Sequence, residues 1–279
     1  MIGEYEIPRG SKLYFGDSAR KKRAIENSAV AAFERHGFEE IATPIFSYHQ
    51  IEESRLIAFA DDHNNRVALR ADSSLEVVRL ISKRLGGATE HRKWFYIQPI
   101  FRYPTTEIFQ IGAESIREGD LSKMINLCAE ILRDILRTNG GGEATLQIGS
   151  IALLRQLQAE IGIDREVLTS HEIHTLLARK EAWIAPLVEL SDQEQIRAAI
   201  AQTPKPIAAC LAKLDDLARK CDWQKLVFSP LYYADMSYYD DLYFRFLLGG
   251  KQIAMGGGYD NGGDRAAGFA IYTDFLINT

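Results

Sequence analysis

Four polar residues interrupt an otherwise apolar stretch, WFYIQPIFRYPTTEIFQIGAESI, running from Trp94 to Ile116. They are Gln98, Arg102, Gln110 and Glu114. Burying a neutral polar group without a partner costs roughly 2–7 kcal/mol, and a charge costs more. A chain that keeps four of them uses them on a ligand or on one another. Strand alternation puts Ile108, Gln110, Gly112 and Glu114 on one face. Glycine at 112 leaves room over the sheet, so the carboxylate and the amide could hold a ligand ammonium and a ring nitrogen. Arg102 could grip a carboxylate through two parallel hydrogen bonds. Together they would form an amino-acid pocket. The alternative is a buried Arg102–Glu114 ion pair that only ties the hairpin together.

Other residues could join such a site. Asp72 and Ser74 flank the start of a helix, where a carboxylate binds an amine or simply caps the helix. Tyr238 and Tyr239 could supply ring contacts. Gly256-Gly257-Gly258-Tyr259 could allow close backbone approach to a small ligand, although glycines at a strand end also mark bulges and turns. No Lys-Ser/Thr follows them, so they form no P-loop. His171 and His174 have no third ligand nearby, and no metal site is expected. No Ser/His/Asp or Cys/His set points to nucleophilic catalysis, and no cofactor is expected.

These residues need elements to position them. Asp17 or Ser18 can cap a helix from about Arg20 to His36, with Ala24, Ile25, Ala29, Ala32 and Phe33 on its apolar side and Gly37 as its stop. FEEIATPIFSY follows as a strand containing Pro44, hence at an edge or a subunit boundary. Val67 to Arg70 ends another strand. Ser73-x-x-Glu76 has capping-box spacing and opens a helix toward Gly86-Gly87. Beyond the Trp94–Ile116 hairpin, Asp120 caps a helix to about Arg137, and 143–149 returns to strand. Helical periodicity dominates 151–223. Gly249-Gly250 then makes a two-residue turn between strands, and AAGFAIYTDFLINT reads as a final helix. The fold class is α+β: a mainly antiparallel sheet flanked by helices, with a core of 1–150 and 224–279 and a helical insertion at 151–223.

Composition narrows the partners. The 279 residues carry a net charge of −5, and 46% of them are hydrophobic. An acidic chain lacks the basic surface that nucleic acid requires. Basic clusters at Lys21-Lys22-Arg23 and around Arg79, Lys83 and Arg84 lie on helical patterns and read as solvated faces. No apolar run reaches the roughly 20 residues needed to span a bilayer. The three cysteines show no C-x-x-C spacing. With no secretory pattern at the N-terminus, a cytoplasmic location is expected.

The motifs together resemble the catalytic core of class II aminoacyl-tRNA synthetases of the histidyl type. His36-Gly37-Phe38 and Thr43-Pro44 resemble motif 1, the class II dimer element. Leu69-Arg70-Ala71-Asp72-Ser73-Ser74 resembles LRPEGT. Phe101-Arg102-Tyr103 and Phe109 to Glu114 resemble the two arms of motif 2. Tyr238-Tyr239 matches the end of RGLDYY, Gly256 to Asp260 resembles GGRYD, and Gly268-Phe269-Ala270 opens something like motif 3. The weak part is the helical stretch from Ile151 to Trp223.

The departures are as informative. The loop between the motif 2 arms, Tyr103 to Glu107, is too short to grip ATP and a tRNA acceptor end. The family's motif 3, RGLDYY and GGRYD arginines fall at Phe275, Ala234 and Gly258. Three cations that would stabilise phosphate charge are therefore missing, and no anticodon-binding domain is expected after Thr279. A core that keeps the amino-acid pocket and loses ATP and tRNA features resembles the regulatory subunit of ATP phosphoribosyltransferase. That resemblance implies a non-catalytic protein partnering the short-form catalytic subunit in a hetero-octamer. The complex would perform the first step of histidine biosynthesis, with histidine as effector, a class II-type dimer and no tRNA or membrane. It implies a histidine site of Asp72, Ser74, Arg102, Gln110, Glu114, Tyr238, Tyr239 and Tyr259. The alternatives are a reduced adenylate-forming enzyme, or a scaffold with a vestigial pocket.

Overall fold

The computed structural model describes residues 2–48, 56–86, 88–163, 165–169, 173–232 and 239–277. The chain divides into two compact units. The first takes in 1–116, 131–141 and 269–279, and the second 117–130 and 142–268.

The first unit starts with α1 (Gly16–Arg35), β1 (Glu39–Glu40), β2 (Phe46–Ser47), β3 (Ala58–Ala60) and β4 (Arg66–Leu69). Then come α2 (Ser73–Leu80), running on into a π turn at Ile81–Leu85, and the hairpin β5 (Lys93–Arg102) and β6 (Thr106–Ile116). α3 (Leu121–Asn139) contributes to both units. In the second unit β7 (Thr145–Ser150) is followed by α4 (Ile151–Ile161), α5 (Arg165–Thr169), α6 (Ile173–Leu177), α7 (Ile184–Val188), α8 (Gln193–Gln202) and α9 (Lys205–Arg219). The chain returns to strands with β8 (Leu226–Phe228), β9 (Leu242–Leu248), β10 (Lys251–Asn261) and β11 (Asp264–Tyr272), and α10 (Thr273–Ile277) follows. The fold is α+β, with one mixed, mainly antiparallel sheet of eight strands and a small sheet ordered β2-β4-β3. Among the described residues no helix is long and apolar enough to cross a membrane.

In the first unit the large sheet runs β1-β5-β6-β11, with β1 parallel and β6 antiparallel to β5. One hairpin face meets α1, where Phe33 stacks on Phe95 at 4.8 Å. The other face meets α2 in a cluster of Val77, Ile81, Trp94, Tyr96 and Ile116. α1 begins at Gly16, earlier than its sequence suggests, because Ser18 sits one turn in and its hydroxyl accepts from the Phe15 N–H. Ala24 is exposed and Glu26 is buried in its stead, held by Lys22 and Arg23. Pro44 splits the expected single strand into β1 and β2, at edges of two different sheets. It has no N–H for a ladder. α2 is capped by Asp72, whose Oδ1 accepts from Leu75 N, and Ser73 is its first residue. Glu76 therefore makes no capping box and pairs with Arg79.

In the second unit the order is β11-β10-β9-β7-β8. Gly249 and Gly250 both have positive φ and join β9 to β10 as the sequence suggests. The three consecutive glycines lie inside β10, not at a strand end. At Gly256 an added Cβ would stand 2.4 Å from Gly268 O and 2.5 Å from the Phe244 ring. At Gly258 its nearest neighbour would be 3.4 Å away. Gly256→Ala should lower stability by about 1–3 kcal/mol through overpacking, and Gly258→Ala by much less. Thermal melts of the two variants side by side check this. The last segment departs from expectation, because Asp264 to Tyr272 form β11 and only Thr273 to Ile277 are helical. Its Ala-Ala-Gly-Phe-Ala-Ile run carries no period that separates a buried strand from a buried helix.

Candidate functional site

The β5–β6 register is regular from Lys93↔Ser115 to Arg102↔Thr106. Directly opposed residues share a face. One face therefore carries, rung by rung, Trp94/Glu114, Tyr96/Gly112, Gln98/Gln110, Ile100/Ile108 and Arg102/Thr106. All four sequence-predicted polar residues of the hairpin are on it. The structure brings Gln98 and Gln110 together as cross-strand partners. It separates Arg102 from Glu114, which are eight residues apart along β6, about 27 Å at the usual strand rise. No Arg102–Glu114 ion pair exists, and one small amino acid does not bridge the two.

Gly112 does not leave open space above the sheet. A Cβ there would lie 2.3 Å from Cζ and Oη of Tyr96. The Tyr96 ring from the opposite strand covers the glycine, the way an aromatic neighbour shields a glycine in a sheet. Its hydroxyl lies 3.2 Å from Ser74 Oγ. The α2 N-terminus, with Asp72 as cap and Ser74 on Tyr96, thus joins the site at the Tyr96/Gly112 rung.

Glu114 is fully buried, and Gln98 and Gln110 are nearly so. Gln98 Oε1 accepts from Thr43 N and Thr43 Oγ1, both at 3.2 Å. Its Nε2, Gln110 Oε1 and Arg102 Nε are buried without a hydrogen-bond partner among the described residues. Beneath them lies a residue that the sequence shows only as a motif letter. Arg70 is 1% exposed. It donates to Pro99 O from Nε (3.0 Å) and Nη2 (2.8 Å), and from Nη1 to Thr43 O (2.8 Å), Thr43 Oγ1 (3.1 Å) and Pro44 O (3.0 Å). Burial lowers its pKa to about 10, so it stays charged at neutral pH. A single arginine after the apolar run Val67-Ala68-Leu69 was the available signal for it.

At the far end, three residues (Tyr103, Pro104 and Thr105) join the strands. The N-terminal segment seals them: Thr105 Oγ1 donates to Arg9 O, Glu107 N to Gly10 O (3.1 Å) and Lys12 N to Glu107 Oε2 (3.4 Å). Phe275, where the resemblance looks for a cation, is 43% exposed.

The remaining predicted residues belong to the second unit. Tyr239 and Tyr259 are buried. The Tyr239 ring lies on Gly257, whose Cβ would be 2.7 Å from it. Beside Gly258 stands Arg265, bound to Asp240 at 2.7 Å. Tyr238, Ala234 and His171 fall outside the described residues. Among those described, Asp61, Asp62 and His63 are the one cluster with metal-ligand spacing, and two of the three are exposed.

The sequence model described as histidyl-tRNA synthetase matches residues 14–276. The chain is 40% identical to a Wolinella succinogenes protein called ATP phosphoribosyltransferase regulatory subunit, over 99% of this chain and 96% of that one. A Helicobacter hepaticus protein of the same name is 37% identical over 99% and 98%. A Bacillus halodurans C crystal structure described as an ATP phosphoribosyltransferase regulatory subunit/histidyl-tRNA synthetase superposes with a TM-score of 0.85. It covers all of this chain and 84% of its own at 19% identity, a likeness of fold.

Proposed function

The chain belongs to the ATP phosphoribosyltransferase regulatory subunits, within the histidyl-tRNA synthetase family, and from that premise we propose that it serves the first step of histidine biosynthesis. It is a regulatory subunit, not a catalyst. Its partner is the short-form catalytic phosphoribosyltransferase, which holds the chemistry, and the complex is a cytoplasmic hetero-octamer containing class II-type dimers of this chain. Histidine is the effector. The observation that carries this reading is the β5–β6 hairpin, which retains buried Gln110 and Glu114 while its turn is reduced to three residues.

The site on the first unit supports the effector role. Gln110 and Glu114 offer acceptors to an ammonium and a ring N–H, with Asp72 and Ser74 at the adjoining helix start. Tyr239 and Tyr259 also belong to the set that the family resemblance implies, and residues 151–223 are an insertion in the synthetase-like core. An effector acts only through different affinities for two states, typically with about 1–3 kcal/mol of coupling, or 5- to 150-fold.

Co-purification with a short-form catalytic subunit tests this. The catalytic subunit alone should turn over at least about tenfold more slowly than the complex. Histidine should inhibit the complex. Equal activity without this chain would overturn the proposal.

A further inference from the structure

The Thr43–Gln98–Gln110 cluster carries an assignment beyond the family site. A main-chain N–H can only donate, so Thr43 N forces Gln98 to turn its Oε1 toward it. Thr43 Oγ1 accepts from Arg70 Nη1, which leaves its own proton for the same Oε1. The amide is thereby locked, with Nε2 facing the other way. That Nε2 is buried and has no acceptor among the described residues, and the residue is only 7% exposed. Buried donors in native proteins are nearly always satisfied, by protein, water or ligand.

Gln110 is its direct cross-strand partner and is 6% exposed. Its Oε1 also lacks a partner, so the two amides do not bond each other. One donor and one acceptor thus stand side by side on a buried face. An α-amino acid matches this pair, because its carboxylate and ammonium sit on one carbon. The charge along the face gives the direction: Arg102 lies two rungs beyond Gln98 on one side, and Glu114 two rungs beyond Gln110 on the other.

We infer that Gln98 is a specificity-determining residue, donating from Nε2 to the α-carboxylate of the effector while Gln110 accepts from its α-ammonium. Thr43 and Arg70 are positioning residues that hold the Gln98 amide. This rests on the histidine-effector reading above. A neutral donor reads the carboxylate without the grip of a full charge, which suits an effector that must be released.

Calorimetry on the full chain, alone and with the catalytic subunit, tests it with two probes. These are histidine and histidinol, which carries a hydroxymethyl group in place of the carboxylate. Wild type should prefer histidine by at least about tenfold, the scale of one hydrogen bond to a charged group. Gln98→Glu still accepts from Thr43 but offers the carboxylate no donor. Gln98→Met removes the amide without adding charge. Each should cut the preference for histidine by about tenfold or more, with folding verified by thermal melts. If wild type shows no preference, or if a folded variant keeps affinity and preference, the Gln98 assignment is wrong while histidine sensing stands. If wild type binds no histidine in either state, the effector reading itself fails and takes this assignment with it.

Discussion

Given ATP, histidine and labelled pyrophosphate, the chain will give no exchange above background. Adenylate formation puts charge on the α-phosphate and pyrophosphate oxygens, and cations placed there stabilise the transition state. The resemblance puts those cations at Gly258, Phe275 and Ala234. Removing one preorganised stabiliser commonly costs 100- to 1000-fold, so losing three costs on the order of a millionfold. Arg265, beside Gly258, is already bound to Asp240, and Phe275 brings an exposed ring. The three-residue turn sealed by Arg9, Gly10 and Lys12 leaves no motif 2 loop to fold over a nucleotide. Robust histidine-dependent exchange would replace the regulatory reading with an adenylate-forming enzyme.

Arg70→Met will be the most destabilising change among the polar residues of the hairpin region. The guanidinium is buried, and among the described residues no carboxylate lies at hydrogen-bonding distance from it. Its five hydrogen bonds go to Thr43, Pro44 and Pro99. Methionine fills similar volume, so packing is largely kept. What is lost is the donor set: three carbonyls, of which that of Thr43 is buried, and one hydroxyl lose a donor. A buried acceptor left unsatisfied costs about 1–3 kcal/mol, and with several acceptors losing their donor the total comes to about 3–5 kcal/mol. At roughly 2–4 °C per kcal/mol for a chain of this size, the melting temperature should fall by about 10 °C. Arg70→Lys should recover less than half of that. One ammonium on a flexible stem cannot serve Pro99 on one side and Thr43 and Pro44 on the other. A Met variant melting within about 2 °C of wild type would show that the carbonyls find other donors.

Much of the molecule was legible in advance where the signal is local. The β5–β6 hairpin, the Gly249-Gly250 turn, the stop at Gly37 and the cap at Asp120 each follow from a few adjacent residues. Where structure and sequence pattern differ, the pattern is one that local information leaves ambiguous. Pro44 could lie within an edge strand or between two, and only the partners of β1 and β2 decide. The Ala266–Ile271 run is apolar at every position, so its partner strands make it β11.

For the site, the sequence by itself determined the polar inventory of the hairpin, the face on which Gln110 and Glu114 lie, and the shortness of the turn. These depend on residue type and strand alternation, which need no knowledge of the rest of the chain. Which residues meet was decided by tertiary structure. Register sets Gln98 against Gln110 and holds Arg102 far from Glu114. Long-range packing covers Gly112 with Tyr96 and brings Thr43 and Arg70, distant in sequence, beneath the Gln98 amide. Hydrogen bonds between such segments act over about 3 Å, and only the folded chain brings their partners within that reach.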